Sequence, residues 1–297
     1  MRDNVVVDSK KESRDLSWFL SAFLNLQQES KSDKFCRSRG HPMAIYANDY
    51  IGIQINSFGT YENEQLNHLF DYINKVDDTL KSRIAIDIGA NIGNHSLYFA
   101  DKFREVISFE PNPNTFELLR FNIKSKSNIE AICVGLGDEV GSFQLTLTPT
   151  NLGSCFVDGS ENPNLEQIPV SIETLDNVLS ERADIGFLKI DAEGFEEKII
   201  LGGQKLISKH QPIIVFEQLQ GEINNGSSRV IKRLRALGYQ ILWREPTLSS
   251  ENYLLRRLIN VHNFLFGKKF SIMSGDTLPK MDHSMLLAIP KGMCHRI

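Results

Sequence analysis

The sequence predicts an α/β protein built on an open, mostly parallel sheet with helices on both faces. Three observations point there. Residues 84–88 (Ile-Ala-Ile-Asp-Ile) form a short apolar run that breaks at Gly89 and resumes with helical spacing from His95. That is the pattern of a buried strand, a tight turn and a helix start. From there to Trp243, short apolar runs alternate with helical patterns, as parallel strands and their crossover helices require. Finally, Glu110, Asp191 and Glu217 close three of these runs, at the strand ends where open α/β sheets bind ligands.

Residues 1–43 read as an N-terminal extension, with a polar start, a short helix over 18–26 and a solvated linker over 29–34. Lys10, Lys11 and Arg14 precede the apolar stretch as in a secretory leader, but Glu12, Asp15 and Asn25 interrupt the pattern and no small-x-small site follows. An amphipathic helix packed on the domain is the preferred reading. Residues 44–297 form one domain, with its core over 61–243. Residues 50–55 alternate like a strand. Leu66, Leu69, Phe70 and Ile73 give 61–74 the spacing of a helix that covers the sheet.

Strands are then expected at 84–88, 106–109, 129–134, 186–190, 213–216 and 239–243, with helices at 96–103, 114–125, 175–181, 195–206 and 228–237. Residues 144–148 and 169–173 alternate instead, like an inserted antiparallel pair. The loop between them, 149–168, is rich in Asn, Gly and Pro and is placed beside the cofactor end. An insertion over 244–283 precedes the last strand, 284–289, which is expected to run antiparallel at the sheet edge. Within it, Leu254, Leu258, His262 and Leu265 line one face of a helix over 253–269, flanked by Arg256, Arg257, Lys268 and Lys269. Such a helix suits a membrane surface, although closure over a substrate cleft is preferred.

Composition excludes several classes. A chain of 297 residues, 41% hydrophobic and 24% charged, buries about 75% of its unfolded surface without staples. Its net charge of −4 offers no general attraction for nucleic acid. Cys36, Cys133, Cys155 and Cys294 have neither CxxC nor CxxH spacing and read as reduced thiols of a cytoplasmic protein. No run reaches the roughly 18–20 apolar residues of a membrane span, so no integral membrane association is expected. A homo-oligomer is compatible with the sequence.

The glycines select the cofactor. A dinucleotide fingerprint needs Gly-x-Gly-x-x-Gly so that backbone can approach a pyrophosphate. In that register Asn91 and Asn94 stand where the second and third glycines belong. S-adenosylmethionine has a ribose and an adenine but no pyrophosphate, and so tolerates side chains there. Asp87 and Asn91 add polar groups suited to the ends of its methionine moiety. Glu110, about twenty residues after Gly89, is placed to accept hydrogen bonds from both ribose hydroxyls.

Chemistry is expected from the second acidic cluster. Asp191 is the first polar residue past the 186–190 run, Glu193 lies two residues on, and Glu217 ends the following run. Methyl transfer to an alcohol needs alignment and a group that takes the proton. Asp191 is the first candidate, with Glu193 and Glu217 as alternates. Three carboxylates also suit a divalent metal, a reading that is not favoured, and no two histidines have metal spacing on a helix.

Residues 86–93 (Ile-Asp-Ile-Gly-Ala-Asn-Ile-Gly), 108–112 (Ser-Phe-Glu-Pro-Asn) and 188–196 (Leu-Lys-Ile-Asp-Ala-Glu-Gly-Phe-Glu) together resemble the FkbM family of S-adenosylmethionine-dependent methyltransferases. The resemblance runs from about residue 61 to residue 243. Many methyltransferases share the first motif, whereas its combination with the third is far more specific. The resemblance implies a seven-stranded methyltransferase sheet, with Gly89, Asn91 and Gly93 at the cofactor turn and Glu110 on the ribose. It further implies Asp138, after Gly137, at the adenine, although Gly-Asp-Glu is equally ordinary turn chemistry. Related proteins typically O-methylate sugars or hydroxylated natural products, which implies a glycan or small-molecule acceptor.

Residues 1–43 and 244–283 lie outside the resemblance. His95 reads as a helix-terminal hydrogen-bonder and His210 as a turn residue. A nicotinamide-dependent oxidoreductase would keep the strand–turn–helix and Glu110 but needs the missing glycines. A nucleic-acid or protein N-methyltransferase is the rival within the same chemistry, but base amino-methylases usually carry an Asn/Asp-Pro-Pro-aromatic tetrad where this chain has Asp191-Ala-Glu-Gly194. A cofactor-fold protein that binds without catalysing fits poorly with the retained acids.

Overall fold

The computed structural model describes residues 16–39, 42–148, 151–156, 166–248, 255, 257–258 and 269–296. The strands in chain order are β1 (Ile84–Ile88), β2 (Glu105–Phe109), β3 (Ile129–Ile132), β4 (Gly135–Leu136), β5 (Gly141–Thr148), β6 (Asn151–Phe156), β7 (Gln167–Glu173), β8 (Ile185–Ile190), β9 (Ile213–Gln218), β10 (Tyr239–Pro246), β11 (Phe270–Ser274) and β12 (His283–Pro290). The helices are α1 (Leu16–Arg39), α2 (Tyr50–Phe58), α3 (Asn63–Val76), α4 (Asn94–Ala100), α5 (Pro113–Ile123), α6 (Leu175–Val178), α7 (Glu196–Gly202), α8 (Gln204–His210) and α9 (Arg229–Ala236).

Eight strands form the main sheet in the order β11-β10-β12-β9-β8-β1-β2-β3. Strands β3, β2, β1, β8 and β9 pair in parallel. Every residue of β1 and β8 is buried, because helices cover both faces and leave no side for water. On one face α3 and α4 lay down Leu66, Phe70, Ile73 and Phe99, where Phe70, Phe99, Phe103 and Phe187 form a cluster of rings 5.1–6.3 Å apart. On the other, Ile199, Ile207, Ile231 and Leu234 pack over Leu188, Ile190, Ile214 and Phe216. Strands β4, β7, β5 and β6 make a smaller sheet, in which β5 and β7 are the antiparallel pair read from the sequence.

Several expectations need correction. Residues 50–55 are helical, not extended: the buried Asp49 carboxylate caps α2 by accepting from the amides of Ile51 and Gly52, and Gly59 ends it at φ 88°. Only Gly52 and Ile55 of α2 are buried, a spacing of three that a helix face supplies and a strand face does not. The last strand is not at the edge. β12 lies between β9 and β10 and is antiparallel to both, since Met285 to Pro290 are buried throughout and need a neighbour on each side. The half-exposed β11, drawn from the 244–283 segment, takes the edge and raises the count from seven strands to eight.

The helix expected over 195–206 is two, broken at Gly203. A Cβ at Gly202 would lie 1.9 Å from the Gly137 carbonyl oxygen, and one at Gly203 would lie 2.7 Å from Leu175. Part of the 149–168 loop is strand β6, paired with β5, and its last two residues open β7, while 149–150 and 157–165 lie outside the described residues. The 29–34 linker is helical and belongs to α1. Phe19, Leu20, Phe23, Leu24 and Leu26 of that helix stand 55–66% exposed instead of packing on the domain, and Phe35 meets the chain at Gly59. The basic helix over 253–269 lies outside the described residues except for Leu255, Arg257, Leu258 and Lys269, and Lys269 is not helical. Among the described residues no helix is long and apolar enough to cross a membrane.

The reassignment of 50–55 can be checked directly. Asp49→Ala should lower stability by about 1 kcal/mol through the lost cap, read as a reduced urea midpoint with unchanged m-value. A strand at this position would not feel the change.

Candidate active site

The carboxyl ends of β1, β2, β8 and β9 open into a two-lobed crevice. Its floor is the bend after β1. Gly89 sits at φ 71°, and a Cβ there would lie 1.8 Å from the Asp191 carbonyl oxygen. Both the backbone angle and the space therefore require glycine. The amides of Gly89 and Ala90 donate to the Phe109 carbonyl, which ties the bend to β2. Asn91, at φ 50°, accepts from the Ile92 amide through its own side chain at 2.7 Å, the local bond that makes Asn tolerant of this region. Gly93, at φ 89°, starts α4 against Leu119.

Glu110 stands where the lobes meet and lines both. Its Oε2 accepts from the Asn91 amide and its Oε1 from the Asn112 amide, each at 2.9 Å. Burial pushes its carboxyl up to about 7 despite those two bonds. Each oxygen keeps a lone pair for a ligand. On one side of Glu110 lies a mostly apolar lobe of about 580 Å³, formed by Ile88, Phe109, Val134, Leu136, Ile172 and Phe195. A Cβ at Gly135 would meet Ile172 at 2.5 Å, so that glycine keeps the slot open. Asp138 is exposed on the turn beyond Leu136 and does not line this lobe.

The second lobe, of about 860 Å³, is polar and includes Asn91, His95, Lys189, Asp191, Glu193 and Glu217. Beneath it Lys189 is buried, with Nζ 3.1 Å from Asp191, 3.6 Å from Asp87 and donating to the Gly89 carbonyl at 2.9 Å. Burial alone would discharge this ammonium, but Asp191 and Asp87 overcome that and hold its pKa above the usual lysine value. Asp87 is fully buried. Its Oδ2 accepts from Ser96, which in turn accepts from Ser108, so this acid sits behind the bend and lines neither lobe.

Asp191 keeps 39% of its side chain open to the crevice. Burial opposes its charge, yet the neighbouring Lys189 ammonium outweighs that and holds the carboxyl below the usual range. Glu217 goes the other way: burial, with the Asp191 charge adding, pushes it up to about 8, and the two carboxyls are hydrogen-bonded. They share one proton, because two adjacent carboxylates resist a second charge. The 191–194 loop is held by Glu196, whose Oε1 accepts from the amides of Ala192 and Gly194. Glu193 occupies φ 48° within it, a strained backbone of the kind that clusters at functional sites. Among the described residues, no cluster of three His, Cys, Asp or Glu side chains is arranged to hold a metal ion.

Sequence reasoning missed part of this wall. Tyr50 and Tyr61 line the polar lobe, edge to face with centroids 6.1 Å apart, and Tyr61 stacks on His95 at 6.0 Å and 17°. His95 is more than a helix-terminal hydrogen-bonder. Its ring lines the lobe while Nε2 is buried, without a hydrogen bond and 3.5 Å from the Glu62 carboxylate. Burial and the Lys189 charge hold its imidazole down to about 4, so it is neutral at pH 7. Burial, with Asp191 adding, pushes Glu62 up to about 7. Glu62, at φ 56°, is a third non-glycine residue with left-handed backbone around this lobe. The one available signal was Lys189, an isolated cation inside an apolar run.

Residues 87–241, just over half of the chain, match the family described as the methyltransferase FkbM domain. A search of curated proteins found no match. Among solved structures, the chain is similar to a methyltransferase FkbM from Methylobacillus flagellatus KT, at 16% identity and a TM-score of 0.38, covering 70% of this chain and 65% of that one. The chain thus spans just under two thirds of that relative. It is also similar to a precorrin-6y C5,15-methyltransferase from Geobacter metallireducens GS-15, at 12% identity, with 78% and 93% covered and a TM-score of 0.39. The methyltransferase domain of METTL16 matches at 12% identity, with 89% and 78% covered and a TM-score of 0.45.

Lys189 provides a test of the site's electrostatics. Lys189→Met leaves Asp87 buried without its cation and should cost about 3–5 kcal/mol, measured by urea denaturation at pH 7. A loss below about 1 kcal/mol would contradict the arrangement.

Proposed function

The chain belongs to the FkbM family of methyltransferases, and on that footing we propose that it is an S-adenosylmethionine-dependent O-methyltransferase. The acceptor in this reading is a hydroxyl of a sugar, polysaccharide precursor or related natural product. One observation carries it: Glu110 stands between an apolar slot and a carboxylate-lined lobe, as a nucleoside with a polar tail requires. The scattered cysteines, two of them described as free, favour a reducing, cytoplasmic setting.

The residues fit the cofactor. The slot kept open by Gly135 suits a purine, and Asp138, outside that slot, is left without a role in this reading. The spare lone pairs of Glu110 suit the two ribose hydroxyls. Gly89, Asn91 and Gly93 shape the bend beneath the methionine moiety, and Asp87 supports it from behind through Lys189. When bound, S-adenosylmethionine supplies a methyl on a sulfonium, open to in-line displacement by oxygen.

Asp191, kept ionised by Lys189, accepts the hydrogen bond of the acceptor hydroxyl and aims its lone pair at the methyl. The Asp191–Glu217 pair would take the hydroxyl proton when the acceptor oxygen is methylated. Glu193, at the mouth of the lobe, holds the acceptor.

Glu110→Ala should weaken S-adenosylmethionine binding by about 1–3 kcal/mol through lost charged hydrogen bonds, measured by isothermal titration calorimetry. In the unaltered protein that binding should tighten from pH 6 to pH 8, because the buried carboxyl accepts both hydroxyls only when ionised. Asp191→Ala should leave cofactor binding nearly intact while slowing turnover about 100-fold or more. Turnover should rise with pH through about 8, as Glu217 loses its proton and can take another, and Glu217→Gln should flatten that rise.

A further inference from the structure

The polar lobe carries more negative charge than the proposed cofactor brings positive. Glu110, Glu193 and the Asp191–Glu217 pair, which carries one negative charge between its two carboxyls at pH 7, line it, and Lys189 is the one cation among the described lining residues. That cation is matched from behind by Asp87 and from the front by Asp191. S-adenosylmethionine brings an ammonium and a sulfonium against one carboxylate, a single net positive charge. Beyond the lining, Glu62 adds another acid behind His95. The site therefore retains negative potential after the cofactor is in place.

The same lobe is also lined by aromatic rings. Tyr50 is 61% exposed and stands edge-on to Tyr61. Burial, with the Glu62 charge adding, raises the Tyr61 hydroxyl above its usual pKa, so it remains a donor at neutral pH. Such a wall offers the apolar face of a ring a surface to lie on and an ammonium a cation–π partner. The carboxylates of the same lobe would accept hydrogen bonds from the hydroxyls and amine of that ring.

We propose, resting on the methyltransferase reading, that the acceptor hydroxyl belongs to a sugar ring carrying a protonated amine. Uronic acids and phosphorylated sugars are turned away, since their charge would meet the carboxylates of the lobe without a free cation among its described lining residues. Neutral sugars bind between these extremes. The chemistry is unchanged by the amine: the hydroxyl oxygen gains the methyl, the sulfonium sulfur keeps the electron pair of the broken bond, and the proton goes to the Asp191–Glu217 pair.

The test uses the full chain saturated with S-adenosylhomocysteine at pH 7, with methyl glycosides of glucosamine, galactosamine, glucose, galactose, glucuronic acid and galacturonic acid as probes. Affinities are read by saturation-transfer NMR titration. At least one aminoglycoside should bind tenfold or more tightly than its neutral parent, with no detectable binding of its uronate. The double variant Glu193→Gln, Glu217→Gln should reduce that preference about tenfold while still binding S-adenosylmethionine. A uronate level with or above the aminoglycoside, no binding of either aminoglycoside, or an unchanged preference in the double variant overturns the proposal. Calorimetry with S-adenosylmethionine alone separates the two readings: absence of cofactor binding defeats the methyltransferase assignment, whereas cofactor binding with a uronate preference defeats only the acceptor inference.

Discussion

The structure depends on one buried ammonium. Lys189 points out of the central strand β8 beneath the bend after β1, where it meets Asp87, Asp191 and the carbonyl of Gly89. Two carboxylates from adjacent strands could not lie so close with both charged unless a cation stood between them. Lys189 thus does two things at once. It makes a polar patch tolerable inside an apolar sheet, and it leaves Asp191 ionised at the surface of the crevice.

The neighbouring acids acquire their properties from that arrangement. Asp191 holds its charge, so Glu217 beside it is driven toward protonation. Glu110, farther along the floor, is buried but receives two amide hydrogen bonds. Three carboxyls of similar intrinsic acidity therefore end with different affinities for a proton. The difference comes from what stands next to each, not from residue type, and it separates a group suited to orienting an alcohol from one suited to taking a proton near neutral pH.

Much of the sheet was legible in the chain because strands buried on both faces leave continuous apolar runs. β1, β2, β8 and β9 lie within a residue or two of their expected places for that reason. The errors arose where another force decided. Tyr50-Ile-Gly-Ile-Gln-Ile55 alternates, yet the Asp49 cap and the Gly59 terminus make it a helix. β12 looks like any terminal strand, and nothing local says that β11 will cover the edge beyond it. In the site, the residues on strand ends were readable from their position after apolar runs. Glu62 and Tyr61 were not, because they come from a segment that meets β8 only through the fold, more than 120 residues earlier in the chain. His95 was seen but underrated, since its orphaned nitrogen and stacked tyrosine exist only in three dimensions.

The contact between Gly89 and the Asp191 carbonyl has an evolutionary consequence. With no room for even a methyl group between them, the bend after β1 and the 191–194 loop are geared together. Remodelling of the 191–194 loop would therefore disturb the bend after β1 as well. Diversification is easier at Tyr50 and Tyr61, which line the same lobe from segments outside that contact.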